Sequence, residues 1–496
     1  MLYLKILPPL FAGAVLFSAF WACGPRAGSE LRFLFNSSAP VAYYDPARVH
    51  YPQDYFFLEN VYSPLVEYSA GDKLVSGLAA TFEWSGSEAR FGMRPGLRTV
   101  DGRPIDAYDA EMSIKRAFIL GGMDFDLLRG PLCGAAPPRK LSDPCPGLSV
   151  TDGGRTLVMK FAERKPFLFH FLTNIAYAVL PRGSVDPETL EITDRRNTSG
   201  PYYVSYDRGG GHWEMRANPG HYRYSPDMPQ AARPVPLLKF TLNEDILKML
   251  PEGSIDYLIS GLARLPGEKA RFAAANPGYN VNITQPVRLV YVVFTRAGMK
   301  KLSPRERFFI GGKMRELYLA GREMCEAPDQ IFRLEGALSK EQLASVRGLL
   351  AGGGDLVIGG KVYANAVSQY FWRDSDSLQR WLPRLEQAGK TGESDFFIES
   401  GDIGFQDDVG LASNFMKVEF FDMTPAEKAA WLERYLAAPE KKARMRLLQD
   451  LHYRTLASGR VIPIALMAYA SVARKPWTFN FPSMFGGDPL WRLRKQ

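Results

Sequence analysis

Short apolar runs near the start of the chain predict β-strands. Leu31 to Phe35 is rich in apolar and aromatic residues, and the polar segment that follows, with Pro40, ends it. Asp54 to Ser63 carries apolar residues near helical spacing and precedes Pro64, which predicts a short helix. Further strands are predicted at 80–84, at 89–93, and on both sides of the turn Asp152-Gly153-Gly154 within 148–161.

Capping residues indicate where helices begin. Asp106, with Asp109 three residues later, predicts an N-cap after the turn-rich hairpin at 96–105. Ser303-Pro304-Arg305-Glu306 and Thr424-Pro425-Ala426-Glu427 each combine a capping box with proline at the first helical position.

The ends of the later helices are also marked. The helix that opens at Ser303 is predicted to continue to about Leu319, and another is predicted from Pro439 to near Gly459. An apolar run rich in β-forming residues follows at 461–472. Strand groups mixed with helices, without a regular βαβ repeat, predict an α/β protein with more than one lobe.

Composition limits the possible classes of protein. The chain has 496 residues, of which 46% are hydrophobic and 23% are charged, so it buries a large core and is not disordered as a whole. This length corresponds to about three domains of ordinary size. Lys and Arg outnumber Asp and Glu by 61 to 53, but they alternate with the acidic residues along the chain. An ordinary charged surface is therefore favoured over a nucleic-acid-binding surface.

The first residues resemble a targeting segment. Met1 to Lys5 is short and positively charged, and the apolar run from Ile6 to Ala22 contains two prolines and is shorter than a membrane-spanning helix. The run ends at Ala22-Cys23-Gly24, which resembles a bacterial lipobox, although Trp21 departs from its usual small residue. We therefore predict a signal peptide at 1–22 and lipidation of Cys23. A plain secretory signal and an uncleaved anchor are the alternatives, and all three place the protein outside the cytoplasm.

Cysteine usage agrees with that compartment. Cys133 and Cys145 bracket a polar, proline-rich stretch that is predicted to be an exposed loop, which a disulfide would close. Two free thiols remain the alternative, whereas a zinc site would need further Cys or His residues nearby. Cys325 has no evident partner in the sequence and is expected to be a small buried residue.

The sequence lacks the motifs of common enzymes. None of its five histidines forms a metalloprotease pair, no serine-hydrolase elbow is present, and the glycines at 354–361 do not have phosphate-loop spacing. A general acid/base group at Asp402, Asp407 and Asp408 is the alternative, but acids paired in a polar loop are more typical of solvated or ligand-facing residues. We therefore predict a protein that is not an enzyme and has no metal site or cofactor.

A set of ordered segments resembles one family along nearly all of residues 31 to 494. The segments are Tyr44-Asp-Pro46, 59–68, 76–84, 93–97, the hairpin and helix start at 101–109, Ser199-Gly-Pro-Tyr-Tyr-Val204, 216–222, Gly253-Ser-Ile-Asp256, Ile462-Pro-Ile464 and Leu490-Trp-Arg492. In order and spacing they resemble the oligopeptide- and dipeptide-binding proteins of bacterial ABC importers, the family 5 solute-binding proteins. The glycines and prolines of these segments are typical of tight turns, so most are predicted to be scaffold rather than ligand contacts.

The resemblance implies an α/β fold of the two-lobe periplasmic-binding-protein type, with mixed sheets, a hinge between the lobes and an extra inserted subdomain. Lobe I would be discontinuous, and lobe III would close over the ligand from the other side. The predicted boundaries are 23–46, 179–285 and 466–496 for lobe I, 47–178 for the inserted subdomain (lobe II), and 286–465 for lobe III.

The resemblance also suggests ligand contacts. Asp407 is nearest to the position at which peptide-binding relatives pair a carboxylate with the ligand's amino terminus, although Asp408 replaces the proline expected after it. Asn36, Ser37 and Tyr44 follow the first strand, where members of the family line the cleft.

The function implied is that of a monomeric lipoprotein, held to the membrane by its N-terminal lipid on the periplasmic side of a bacterial cell envelope. It would capture a peptide or related small solute and deliver it to an ABC permease and ATPase complex. The alternative is an envelope sensor or structural lipoprotein that uses the same fold without transport.

Overall fold

The computed structural model describes a mixed α/β protein. The described residues are 30–35, 44–49, 52–69, 73–121, 126–134, 136–208, 212–236, 249–258, 276–319, 325–332, 337–351, 357–358, 361–362, 396–402, 412, 416, 421–438, 440–480 and 488–496.

Strands occur along the whole described chain. They are β1 (Glu30–Phe35), β2 (Val66–Tyr68), β3 (Leu74–Ser76), β4 (Ala79–Ser85), β5 (Glu88–Met93), β6 (Leu148–Thr151), β7 (Thr156–Lys160), β8 (Tyr202–Asp207), β9 (Trp213–Ala217), β10 (Ala231–Pro236), β11 (Tyr257–Leu258), β12 (Tyr279–Phe294), β13 (Cys325–Glu326), β14 (Val357–Ile358), β15 (Lys361–Val362), β16 (Phe396–Asp402), β17 (Val461–Arg474), β18 (Trp477–Phe479) and β19 (Leu493–Lys495).

The described residues form α-helices in both halves of the chain. They are α1 (Pro52–Val61), α2 (Ala107–Leu120), α3 (Asp126–Cys133), α4 (Leu168–Phe171), α5 (Arg296–Lys301), α6 (Pro304–Leu319), α7 (Lys340–Leu350), α8 (Pro425–Ala437) and α9 (Lys441–Ala457). Short 3-10 turns lie at Pro46–Arg48, Ile175–Tyr177, Arg182–Ser184 and Leu490–Arg492.

One large mixed sheet organises the described chain. Its strands follow the order β16-β12-β17-β11-β1-β10-β9-β8, and β13 pairs with β17 beside this path. β1 runs parallel to both β10 and β11, although these strands lie about 200 residues further along the chain. A separate four-stranded sheet has the order β4-β5-β7-β6 and belongs to residues 79–160. The predicted boundaries at 285/286 and 465/466 fall inside β12 and β17, which are continuous strands.

Aromatic side chains fill the core beneath β1. Phe33 and Phe35 lie edge-on to Trp213 of β9, with ring centroids 5.7 and 5.4 Å apart. α1 covers the same face of the sheet with Phe56, whose ring lies 5.2 Å from that of Phe33, and with Phe57, 5.3 Å from Trp213. The core therefore joins β1 and α1, which are close in sequence, to β9, which lies much further along the chain.

The predicted capping residues begin helices in the structure. Asp106 caps α2 in a capping box with Asp109, and Thr424 caps α8 in a box with Glu427. At α6 the Ser303 main-chain N–H donates to Glu306, and the Glu306 N–H donates to the Ser303 hydroxyl. These three predictions are confirmed.

The bounds of two helices differ from the predictions. α1 runs from Pro52 to Val61 rather than from Asp54 to Ser63. The Val61 carbonyl accepts from the main-chain N–H of Gly200, so a residue distant in sequence bonds to the end of the helix. α9 begins at Lys441, two residues after the predicted Pro439, and is followed by Gly459, whose φ of 66° lies in the left-handed region.

Cys133 and Cys145 are joined by a disulfide in the structure. Cys133 is the last residue of α3 and both cysteines are buried, so only the residues between them form the exposed loop that was predicted. The Asp143 carboxylate accepts from the main-chain N–H groups of Arg139 and Lys140, at 2.7 and 3.1 Å, and fixes the turn at the tip of this loop.

Candidate functional site

The strands β12 and β17 form a two-stranded ribbon that links two parts of the large sheet. At one end β11 pairs Leu258 with Val472, and at the other end β16 pairs Asp402 with Arg288. Between these levels, residues 282–286 of β12 and 468–471 of β17 pair only with each other among the described strands. At about 3.3 Å per residue this ribbon is roughly 15 Å long.

The hydrogen-bond ladder of the ribbon is irregular. The register between β12 and β17 is constant from Tyr279 to Ile283, and it shifts between Ile283 and Pro286 and again between Pro286 and Arg288. Proline has no N–H to give to a ladder, and a bulge bends the strand that contains it. A two-stranded ribbon with an irregular ladder resists bending less than a regular sheet of several strands does.

Three strands end at the two ends of this ribbon. β1 and β11 run parallel to each other and end at Phe35 and Leu258, beside the level of Val281. β16 runs antiparallel to β12 and ends at Asp402, opposite Arg288. The three strands thus run toward the ribbon from both sides, which makes this stretch the candidate ligand cleft.

Three of the four predicted ligand residues, Asn36, Ser37 and Asp407, come one to five residues after these strand ends in the sequence. Asn36 and Ser37 come after Phe35, and Asp407 and Asp408 come five and six residues after Asp402. These four residues and Cys23 lie outside the described residues, so the ligand contacts of Asn36, Ser37 and Asp407 and the lipidation of Cys23 stay predictions.

Tyr44, the remaining predicted ligand contact, lies in the core of the structure. It is 1% exposed. Its ring stacks on Phe57 with centroids 4.6 Å apart and stands edge-on to Phe35 at 5.8 Å. In this structure its ring supports the strand that leads to the cleft, and a direct ligand contact remains a prediction.

The motifs that carried the resemblance meet at a joint between α1, the hairpin at 96–105 and the β8–β9 pair. The Asn218 side-chain amide donates to the carbonyls of Arg98 and Gly200, at 3.3 and 3.4 Å. The Gly200 N–H donates to Val61 at 2.9 Å, and the Arg98 N–H donates to Gly220 at 3.4 Å. These residues bond to one another, which is the scaffold role that was predicted for most of the motifs.

The Gly253-to-Asp256 motif ties β1 to β17. The Asp256 carboxylate accepts from the Arg32 main-chain N–H at 3.0 Å and from its Nε at 3.2 Å. Arg474, the last residue of β17, lies 3.7 Å from the other carboxylate oxygen. Gly253 has a φ of 75° and lies against the Arg474 guanidinium, so a side chain at this position would be strained and crowded.

A buried Ser63–His221 contact resembles a nucleophile–base pair but is arranged for structure. The two side chains lie 3.2 Å apart, through His221 Nε2. His221 Nδ1 accepts from the Arg223 main-chain N–H at 3.2 Å, so in the neutral ring Nε2 carries the proton and donates to Ser63. Burial lowers the pKa of His221 to about 3, with a smaller contribution from Arg94. Because Nε2 carries the proton, this nitrogen has no lone pair with which to deprotonate the Ser63 hydroxyl.

A series of alternating guanidinium groups and aromatic rings joins Arg94 to the C-terminal tail. The Arg94 guanidinium lies 4.4 Å from the Tyr222 ring centroid, and the Arg223 guanidinium lies 5.2 Å from that ring and 3.8 Å from the Trp491 ring. Burial lowers the pKa of Arg223 to about 9, and it raises the pKa of the neighbouring Glu59 to about 7. The sequence alone did not predict this series of cation–π contacts, because Arg94 lies about 400 residues from Trp491.

The described residues form neither a cluster of metal ligands nor a membrane-spanning helix. Within the described ranges, no group of three His, Cys, Asp or Glu side chains is placed to hold a metal ion. No described helix is long and apolar enough to cross a membrane.

Sequence comparison gives no relative, whereas structural comparison gives many. No family model matches the chain, and no curated protein matches it. The murein tripeptide binding protein MppA of Escherichia coli has a TM-score of 0.64 at 15% identity, covering 94% of this chain and 98% of that one. The substrate-binding domain of an oligopeptide ABC transporter of Bacillus anthracis has a TM-score of 0.63 at 11% identity, covering 95% and 99%.

A third solved structure binds a ligand that is not a peptide. The binding protein MoaA of A. tumefaciens R10, in complex with mannopinic acid, has a TM-score of 0.65 at 13% identity, covering 94% of this chain and 99% of that one. All three likenesses extend over nearly the whole of both chains. The chain therefore has the two-lobe fold of the periplasmic binding proteins, with mixed α/β sheets and an additional subdomain.

Proposed function

We propose that this protein is a solute-binding protein that captures a peptide or a related small solute between its two lobes and delivers it to an ABC importer. The observation that supports this most directly is the ribbon of β12 and β17, with β1, β11 and β16 ending at its two ends. Solved structures of the same fold include a murein tripeptide binding protein and a binding protein in complex with mannopinic acid. Both ligands carry carboxylates, so the proposed solute class extends from short peptides to small organic acids.

The proposed mechanism is hinge closure. The lobes move about the irregular ribbon, and a solute that contacts both lobes only in the closed form shifts the equilibrium toward closure. Asn36, Ser37 and Tyr44 would contribute from the side of β1, and Asp407 from the side of β16. A ligand ammonium would supply the partner that a carboxylate needs when closure removes it from water.

Native mass spectrometry of protein purified from the cell envelope tests this function. We expect a population with one bound solute, released on denaturation, and its refined mass identifies the chemical class. Small-angle scattering should show a smaller radius of gyration when the released solute is returned. A protein that carries no solute, and whose scattering no pool of peptides or organic acids changes, would contradict the proposal.

Asp407→Asn is expected to weaken binding of the co-purified solute by roughly 30-fold, because a charge-assisted hydrogen bond becomes a neutral one and the ammonium loses its counter-ion. The measurement is isothermal titration calorimetry, with circular dichroism to verify the fold. Asp408→Asn is the matched control and should bind with nearly unchanged affinity. A larger effect at Asp408 would assign the ammonium contact to that residue, and no effect at either would remove the contact from this segment.

Membrane attachment is a separate part of the proposal. Radiolabelled palmitate should enter the protein through Cys23, and Cys23→Ala should abolish the label and release the protein from the membrane fraction. Equal labelling of the two proteins would refute the lipid anchor and leave solute binding untouched. Cys325→Ala is the matched control and should be labelled like the unaltered protein.

A further inference from the structure

At one end of the ribbon, a carboxylate from the C-terminal tail accepts hydrogen bonds from both strands. Asn282 of β12 and Ser471 of β17 are direct cross-strand partners, so their side chains emerge side by side on one face of the ladder. The Asn282 side-chain amide and the Ser471 hydroxyl both donate to the same oxygen, Oδ2 of Asp488, each at 2.9 Å. Asp488 is fully buried, with 0% exposure. One carboxylate thus holds both strands.

The position of this contact along the ladder is specific. Asn282–Ser471 is followed by one more pair in constant register, Ile283–Ala470, and the first register shift comes directly after it. Asp488 therefore holds the ribbon at the last regular part of the ladder, and the irregular stretch with Pro286 begins just beyond. Regular pairing and buried charge-assisted bonds both resist movement there.

Asp488 is itself anchored to the lobe that contains β1. Its main-chain carbonyl accepts from the Tyr257 hydroxyl of β11 at 2.5 Å. Two residues later the Leu490 N–H donates to the Asn60 side chain of α1 at 2.9 Å. Arg492 Nη1 lies 3.9 Å from the second Asp488 carboxylate oxygen. The tail therefore connects the ribbon to a strand and a helix that pack on the same core.

We propose that Asp488 is a positioning residue for solute capture, which fixes one end of the ribbon and confines lobe movement to the irregular stretch beyond Ile283. This inference rests on the proposed function, because it concerns the hinge about which the lobes would close. Without the Asp488 charge, the ladder at Asn282 and Ser471 opens more readily, bending spreads into it, and the two lobes meet the solute in a less defined geometry.

Asp488→Asn tests the proposal, because it keeps the shape of the side chain and removes its charge. Glu214→Gln is a closely matched control: Glu214 is also a buried carboxylate of the large sheet, it accepts from the Ser205 hydroxyl at 2.8 Å and from an arginine Nε at 2.6 Å, and it lies on β9, away from the ribbon. Hydrogen exchange of the solute-free proteins is the first measurement. Exchange at 281–283 and 470–472 should be at least 10-fold faster in Asp488→Asn and unchanged in Glu214→Gln.

A mutant cycle separates this role from general stability. The double variant Asn282→Ala, Ser471→Ala should accelerate exchange at the same amides, and adding Asp488→Asn to it should have little further effect, because the donors are already gone. Unchanged exchange in Asp488→Asn, or equal acceleration in the Glu214→Gln control, would overturn the proposal.

Calorimetry with tri-L-alanine as the probe gives a second readout. Asp488→Asn should bind at least fivefold more weakly than the unaltered protein, and Glu214→Gln within twofold of it. If tri-L-alanine does not bind the unaltered protein, that result counts against a peptide solute in the proposed function. The exchange measurement then still decides whether Asp488 holds the ribbon.

Discussion

Asp45→Ala is expected to lower the free energy of unfolding by about 3–5 kcal/mol, the loss typical of a buried ion pair that is broken by removing one partner. Asp45 receives two bonds from the Arg116 guanidinium, at 2.9 and 2.5 Å, and both side chains are almost entirely buried. Arg116 Nε also donates to the Leu190 carbonyl at 2.8 Å, so the guanidinium is held in place when its counter-ion is removed. Urea unfolding followed by circular dichroism gives the magnitude.

A nearby exposed pair provides the control. Arg48 and Glu191 are 3.4 Å apart and both about half exposed, so Glu191→Ala is expected to cost less than about 1 kcal/mol. Similar losses of free energy for the two variants would contradict the burial of the Asp45–Arg116 pair that the structure shows.

The same pair predicts the direction of acid sensitivity. Burial raises the pKa of Asp45, but the bonds from Arg116 outweigh burial and hold this pKa below its ordinary value of 3.8. The unfolded chain therefore takes up the proton at higher pH than the folded chain does. The stabilisation by Asp45 is present above pH 3.8 and is lost as the pH falls through the lower folded-state pKa.

Gly200→Ala is expected to destabilise the protein by about 3 kcal/mol, at the upper end for overpacking, because the crowding atoms belong to the backbone. A Cβ at this position would lie 2.6 Å from the Tyr62 nitrogen and 2.7 Å from the Asn60 carbonyl oxygen, and it would also meet the Val61 carbonyl carbon. Backbone atoms cannot rotate away as the end of a side chain can. Thermal unfolding should show the loss as a lower midpoint.

Gly348→Ala is the matched control because it has the opposite expected sign. Gly348 lies inside α7, and a Cβ there would meet nothing within 4 Å. Alanine in a helix interior is favoured over glycine by about 0.5–1 kcal/mol, so this variant should be slightly more stable than the original protein. A Gly200→Ala variant as stable as Gly348→Ala would show that α1 can move away from β8.

Features that depend on neighbouring residues could be predicted from the sequence. The capping boxes at Asp106 and Thr424 each need only a residue three positions away, and both begin helices where expected. The turn at Asp152 was predicted for the same reason, and its left-handed φ of 56° follows from the tolerance of Asp and Gly for that region. The two-lobe fold could be predicted because many such segments occur in the order known for one family.

Features that depend on distant pairing could not be predicted. Nothing in the 30–35 segment specifies that β1 pairs in parallel with β10 and β11. The Asp45–Arg116 pair and the contact of Asp488 with Asn282 each join residues with many possible partners of equal chemistry. The ligand residues were predicted from resemblance alone. The sequence around a loop carboxylate such as Asp407 has no periodic pattern that distinguishes a ligand-binding residue from a solvent-exposed one.

The order of strands in the large sheet also has a consequence during synthesis. β1 is made first, but its neighbours β10 and β11 follow about 200 residues later, and β17 follows roughly 430 residues later. At typical translation rates, β17 leaves the ribosome on the order of 20–90 s after β1. During this interval Phe33 and Phe35 have no complete core to enter, and their aromatic side chains stay available for contacts with other chains. A slower rate of synthesis therefore lengthens the period in which the nascent chain is prone to aggregate.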